Sequence, residues 1–573
     1  MHGTQGVAMD DAKDDHNSAI PFERHVAAAE ARAALGYFEA GVPMRDGLEL
    51  AADVYLPAES PDGPVPVVVT ATPYGKEAQV ADRDLWRHHG YGFVAADVRG
   101  RGKSEGLWDA HVNDVKDTHD LIEWVASQTW CNGVVGTTGL SYGGWIQWAA
   151  ASEHPAHLKA MISTSAAGRW QQEIPYTNGV FQLFFAWWSY RTRRRILETY
   201  GFVRTDWYEK LSTLPFKSLE DYIDSDSPTW DNLADRYTLD DFYRALRYDD
   251  RYDQINVPCL HVTGWYDQED LLGAFHHYEM MMNNSPARSD QYLIVGPWSH
   301  VGSRNPSRVY SGIDFGPEAP LDIEAEHLRF FDYWLKGEDN GLTSLDRVRL
   351  FEPGRNTWRD AGVWPTSSTN LTLHLGDETL SPQVPAESGE RSYRYDPLDP
   401  VPTGLTISRY PLYEDVPLDQ TKTEKRDDVL CFTSEPLERE VVVSGWPRLE
   451  LFASSDCDDT DWHVKVTDVS PDGRSLRLSQ GCLRAACRNS LEFLEPLIPG
   501  DTFQFSIELW PTHHVLKPGH SMRVSVTSSD FPWFARSLNQ FGPVHLQSEP
   551  KVAVNTVRFG GEFPSRLVLP TEG

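Results

Sequence analysis

Cysteine is scarce in this chain: six among 573 residues, at 131, 259, 431, 457, 482 and 487, with no two spaced as C-x-x-C. The scarcity excludes a disulfide-framed fold, and the missing pairs exclude a cysteine-based zinc site. Positive charge is short as well, with 52 Lys and Arg against 84 Asp and Glu and a formal net charge of −32. A surface of that sign repels phosphate backbones, which excludes nucleic acid as a partner. The acidic residues form no long run and read as a solvated surface. No apolar run approaches the length of a membrane span, and the polar, acidic stretch from Met1 to Asn17 holds no signal-peptide core. A cytoplasmic protein with no membrane partner is expected. Fixed-period repeats and low-complexity segments are absent too, which removes solenoid and fibrous architectures.

What remains is an ordinary globular composition, 40% hydrophobic and 24% charged, long enough for about two to four domains. Residues 1–33 read as a tail with a short helix from Phe22. Val42 to Pro57 alternates about Asp46-Gly47, a hairpin pattern. Val67-Val68-Val69 and Phe93-Val94-Ala95-Ala96 are continuous apolar runs, as expected of strands covered on both faces. With the amphipathic stretch Val115 to Ser127 they predict a doubly wound α/β sheet over 34–165. The alternation stops at 166–250, rich in aromatics and charge, which reads as a helical cap inserted over the sheet. It resumes over 251–345, at Cys259 to Gly264 and Tyr292 to Gly296. From 346 to 573, short alternating strands with Pro and Gly turns predict a β-sandwich of jelly-roll type.

The chemistry concentrates at Gly139-Leu140-Ser141-Tyr142-Gly143, between an apolar strand and the helical Trp145 to Ala151. Such a strand–turn–helix is the nucleophile elbow of an α/β-hydrolase, its glycines needed where strand and helix pass close together. The alternative is a structural Gly-rich turn. A serine hydroxyl needs a histidine to take its proton and a carboxylate to orient that histidine. In this fold they follow in the order Ser, Asp, His, each in a loop after a strand. Asp267 and His300 meet both conditions. His276 and His277 fall mid-helix and His513, His514 and His520 in the β region, so packing or surface roles suit them better. Tyr74, at a strand end facing the elbow, can donate its phenol to a developing oxyanion, or else pack at the sheet edge.

Taken together the motifs resemble those of the cocaine esterase / X-prolyl dipeptidyl aminopeptidase family of serine hydrolases. They are Arg45-Asp46-Gly47, Thr72-Pro73-Tyr74, Asp97-Val98-Arg99-Gly100-Arg101-Gly102, Gly264-Trp265-Tyr266-Asp267 and Gly296-Pro297-Trp298-Ser299-His300. Phe331 to Gly337 and Ser525 to Pro532 add to them. The resemblance runs from about residue 38 to the end and is weakest in the cap. It implies an oxyanion hole of the Tyr74 hydroxyl and the Tyr142 amide. Gln268-Glu269-Asp270 further resembles the α-amino acid ester hydrolase branch, where carboxylates bind the substrate's α-ammonium group. Glu173 lies close to that branch's third carboxylate, and Trp170 beside it is a further candidate for substrate contact. That branch has Glu two residues after the serine, where this chain has Gly143. Glu269 and Asp270 also suit a plain helix start, favoured by the dipole ahead of Leu271.

Three functions remain open on these residues. The first is a serine hydrolase of small esters or amides acting through an acyl-enzyme, with a taste for α-amino acyl esters or β-lactam-type amides. The second is a neutral aromatic-ester carboxylesterase or an X-Pro dipeptidyl peptidase. The third is a non-catalytic protein that binds through its jelly roll. No cofactor and no metal are implied. The cluster Asp456, Asp458, Asp459 and Asp461 could hold calcium but reads better as a solvated turn. A homo-oligomer is compatible with the sequence.

Overall fold

The computed structural model describes residues 36–59, 63–405 and 416–573; the expected tail and short helix over 1–33 lie outside them. The first lobe is a ten-stranded sheet. Its strands are β1 (Tyr37–Pro43), β2 (Glu49–Tyr55), β3 (Val65–Thr72), β4 (Gly92–Asp97) and β5 (Cys131–Leu140). There follow β6 (Leu158–Thr164), β7 (Cys259–Gly264), β8 (Gln291–Gly296), β9 (Val348–Glu352) and β10 (Thr357–Ala361). They lie in the order β1-β2-β4-β3-β5-β6-β7-β8-β9-β10. Pairing is parallel from β4 through β3 to β9 and antiparallel at both edges.

The apolar runs explain the layering. Every residue of β3, β4, β7 and β8 is buried, and side chains alternate between two cores. Val67, Val69, Val94 and Ala96 face the elbow helix Tyr142–Ala151 and the cap. Val68, Phe93, Ala95, Ile162 and Val262 face Trp86, Phe331 and Leu335 on the other side. Each fully buried Val is worth about 1.5–3 kcal/mol, so the pattern leaves little freedom in strand register. Register in turn fixes which residues stand at the strands' C-terminal edge.

Between β6 and β7 the chain leaves the sheet. The helix Phe184–Thr192, five shorter α-helices and a 3-10 turn between Tyr200 and Arg247 form a layer above that edge. Aromatic packing holds it: Phe181 stacks on Phe216, Tyr190 on Tyr222, and Phe184 on Trp533 of the second lobe. The Asp97–Gly102 motif ties this layer to the sheet. Arg101, almost fully buried, donates from Nε to Pro73 O at 2.8 Å and from Nη1 to Thr192 O at 2.6 Å. One guanidinium therefore joins the turn carrying Tyr74 to the end of the cap helix carrying Trp188.

The second lobe is a thirteen-stranded, mostly antiparallel jelly-roll sandwich about Leu449, Leu451, Trp462, Phe505 and Val524. Its first strand is Thr369–Leu375, and β9 and β10 before it continue the hydrolase sheet. Val348 and Leu350 alternate as sandwich strands do, yet both are buried against β8, and that burial decides which sheet they join. The aspartate cluster is only partly a solvated turn: Asp456 is exposed, whereas Asp459 is buried, pairs with Arg484 at 2.7 Å and accepts the Ala486 amide at 3.0 Å. Among the described residues, no helix is long and apolar enough to cross a membrane.

Candidate active site

Strand β5 ends at Leu140 and the elbow helix begins at Tyr142, which leaves Ser141 as the hinge at φ 61° and ψ −122°. This is a strained conformation for a residue with a Cβ. It is held by Ser141 N donating to Thr164 O at 3.0 Å, and by Gly144 N and Trp145 N donating to Ser141 O at 2.8 and 2.9 Å. The glycines that the close passage requires differ in part from the expected pair. A Cβ on Gly139 would lie 2.3 Å from Gly143 O, and one on Gly144 2.6 Å from Thr164 O. At Gly143 the nearest atom would be Ala71 O at 3.7 Å, so that position has room for a side chain.

Asp267 follows β7 and His300 follows β8, and paired neighbouring strands bring their loops together. His300 Nδ1 lies 3.0 and 3.1 Å from the two Asp267 oxygens. Oδ1 of Asp267 also accepts the amides of Glu269 at 2.9 Å and Asp270 at 3.1 Å. Burial alone would raise the Asp267 pKa, but His300 and these donors outweigh it and hold the carboxyl below its usual range. Burial alone would lower His300; the charges of Asp267, Glu269 and Asp270 prevail and hold it well above an ordinary histidine. Asp270 moves upward, through burial and its carboxylate neighbours.

Ser141, His300, Tyr74 and Glu269 line one cavity of about 460 Å³ beneath the cap. Glu269 Oε2 stands 3.6 Å from His300 Nε2, and Asp270 Oδ2 stands 4.0 Å from Nδ1. The same three side chains could hold a divalent cation, their ligand atoms lying within 4.8 Å of one another. An ion there would engage the imidazole that acid–base work requires.

The oxyanion candidates, Tyr74 and Tyr142, line space that Ser141 also borders. Tyr142 turns its own hydroxyl away, donating to Asp114 Oδ2 at 2.5 Å and accepting His111 N at 2.9 Å, so only its amide faces the elbow. Tyr74 Oη accepts the Trp188 indole N–H at 3.0 Å. That bond fixes the phenol oxygen while sparing its proton for donation, and burial keeps the phenol protonated by raising its pKa. Trp188 reads from sequence only as one of an aromatic cluster; no local signal marks its bond to a residue 114 positions away.

The other two expected substrate contacts, Glu173 and Trp170, are among the lining residues of neither cavity. Glu173 is buried behind the site, where Oε2 accepts the amides of Gly168 at 3.0 Å and Arg169 at 3.1 Å, and Oε1 that of Gly273 at 2.5 Å. It thereby caps the helix Leu271–Asn284, and burial pushes its pKa up to about 7 despite those donors. Asp270, the residue at the cap position of that helix, makes no capping bond with its side chain. Trp170 is wholly buried, stacked on Tyr243 and edge-on to His111, and lines neither cavity at the serine.

The sandwich reaches the site through the residue after the triad-candidate aspartate. Gln268 Oε1 accepts from Arg477 Nη1 and from Gln480 Nε2, both at 3.1 Å, and Arg477 also donates to Gln480 Oε1 at 2.6 Å. All three side chains are buried.

A sheet of this order, a strained serine at its elbow and an Asp–His pair at the next strand ends define an α/β-hydrolase of the serine class. Models of the X-Pro dipeptidyl-peptidase (S15 family) and of the X-Pro dipeptidyl-peptidase C-terminal non-catalytic domain match residues 46–302 and 340–568. A cocaine esterase of Rhodococcus sp. (strain MB1 Bresler) is 33% identical, over 92% of this chain and 97% of that protein. The chain belongs to this cocaine esterase / X-prolyl dipeptidyl peptidase family of serine hydrolases. Among solved structures it is similar to an α-amino acid ester hydrolase, with TM-score 0.84, 26% identity, and 94% and 97% of the two chains covered. An aminopeptidase from a marine sediment archaeon, Thaumarchaeota archaeon, gives TM-score 0.84 at 25% identity, covering 95% and 97%.

Proposed function

We propose that the protein hydrolyses esters or amides of small α-amino acyl groups through an acyl-enzyme on Ser141. His300 takes the Ser141 proton as Oγ attacks the carbonyl carbon, and Asp267 holds the imidazole's orientation. The Tyr74 hydroxyl and the Tyr142 amide receive the oxyanion. The bond to the leaving group then breaks, the leaving group departs with the proton from His300 Nε2, and water repeats the sequence to release the acid. The observation that carries the α-amino reading is the Glu269 carboxylate, 3.6 Å from His300 Nε2 in the serine's own cavity, with Asp270 beside it. An ammonium bound at Glu269 and Asp270 offsets the negative charge that holds the His300 pKa up, which favours the neutral imidazole a base requires. The 33% identity to a cocaine esterase supports the second reading, an aromatic-ester carboxylesterase. A cytoplasmic setting is supported by six free thiols, five of them buried.

The decisive experiment is the double variant Glu269→Gln with Asp270→Asn. It should lower kcat/KM for α-amino esters about tenfold or more and spare the matched des-amino esters, which place no charge there. Equal loss on both series would overturn the ammonium site and leave the hydrolase standing.

A further inference from the structure

Ser141 stands where two spaces meet. The larger, of about 460 Å³, is lined by His300, Val301, Arg304 and Asn305 from the sheet side, and by Trp187, Leu197 and Phe202 from the cap. The smaller, of about 30 Å³, is lined by Glu269, Asp270, His111, Trp145 and Phe185. Tyr74, Ser141, Phe184, Trp188 and Glu269 border both. The chemistry decides which end of a substrate enters which space. The leaving group takes its proton from His300, and His300 borders the large space only. The acyl group therefore points the other way, into the space that Asp270 lines and Glu269 shares.

From this we propose that the small chamber restricts the acyl group to short α-amino acids, glycyl and alanyl, while the large cavity takes a bulky leaving group. The inference rests on the α-amino acyl reading above and adds a limit on size. The small chamber's free space, about 30 Å³, is far less than the large cavity's 460 Å³, so it favours an acyl group that adds few heavy atoms beyond the carbonyl-bearing carbon. An alanyl group brings an ammonium nitrogen and one methyl. A phenylglycyl group brings the nitrogen and six ring carbons. The walls do not yield readily, because they are packed aromatics. His111 lies 4.6 Å edge-on to Trp145 and 4.7 Å from Tyr142, and Phe185 packs edge-on to Phe184 at 5.4 Å and Trp188 at 6.1 Å. His111 brings no competing positive charge, since burial lowers its pKa to about 3. Phe185 is the selective wall: it is 5% exposed, lines only the small chamber and belongs to no proton-transfer or oxyanion group.

The test compares glycyl, alanyl and phenylglycyl benzyl esters, which share a leaving group, together with their des-amino partners propanoyl and phenylacetyl benzyl ester. Wild-type kcat/KM for the alanyl ester should exceed that for the phenylglycyl ester at least tenfold. Equal or greater rates on the phenylglycyl ester overturn the proposal. Phe185→Ala, and Phe185→Leu as the milder change, should raise phenylglycyl turnover at least tenfold relative to alanyl. An unchanged ratio in a folded variant overturns the assignment of the wall. The des-amino pair separates the two readings. Preference for propanoyl over phenylacetyl with no advantage for an amine keeps the size limit and sinks the ammonium site. An amine advantage with no size preference does the reverse.

Discussion

Ser141, Asp267 and His300 hang from the ends of strands whose partners fix them residue by residue. Phe184, Phe185, Trp187 and Trp188 come instead from a cap helix that no ladder registers, held by ring against ring and by Arg101 at its end. The two halves of the site meet across a space of a few residues, yet they answer to different constraints. Backbone pairing positions the atoms that change bonding partners, and side-chain packing shapes the room around them. Loss of Ser141, Asp267 or His300 should therefore slow every substrate alike. Damage to the cap half should alter which substrate is chosen.

Ser141→Ala and His300→Ala offer the severest trial. Each should cut turnover at least about a thousandfold on charged and neutral esters together, with circular dichroism and Tm unchanged. Survival of more than about a thousandth of the activity in a homogeneous Ser141→Ala preparation would make the serine structural. Next comes Tyr74→Phe, which removes a single hydroxyl and should lower kcat about a hundredfold at steady KM. A raised KM at constant kcat would move Tyr74 from the oxyanion hole to the pocket wall. A smaller effect concerns pH. The neighbouring carboxylates hold His300 above its ordinary pKa, and a base must be neutral to act, so the acid limb of kcat/KM should lie above the usual histidine range. Removing negative charge with Glu269→Gln and Asp270→Asn should move that limb to lower pH; a static or rising limb contradicts the electrostatic account. Trp188→Phe probes the seam between the halves. It deletes a cap-borne hydrogen bond to the Tyr74 phenol, worth roughly a two- to tenfold loss of kcat. A loss of comparable size in Trp187→Phe, which makes no such bond, would reduce Trp188 to packing.

The same division explains what could be read from the residues alone. A strand–turn–helix carrying a serine, and an Asp and a His each just past an apolar run, are local patterns whose geometry follows from chain direction. Cap and inter-lobe contacts have no local signature. Glu173 lies near the acidic pair in space, but three backbone amides claim its oxygens and make it a helix cap. Trp170 is as aromatic as Trp188 and only eighteen residues earlier, yet it packs into the core. β9 shows the alternation of a sandwich strand and is claimed by β8. Asp459 reads as solvated until Arg484, 25 residues on, is seen to pair with it. In each case a long-range partner outbids a local preference.

The bond from Gln268 to Arg477 and Gln480 has a consequence in time. The N-terminal part of a chain leaves the ribosome first, at about 5–20 residues per second. The serine, the histidine and the acidic residues are all made before the strand Ser475–Arg484 that anchors the loop beside Asp267. A nascent hydrolase lobe therefore holds Ser141 near a loop whose Gln268 anchors are not yet made, and reactivity at Ser141 is expected only once the sandwich docks. Ribosome-bound chains ending before residue 475 should resist fluorophosphonate labelling at Ser141, and released full-length chains should accept it. Equal labelling of the two would show that the first lobe arms itself.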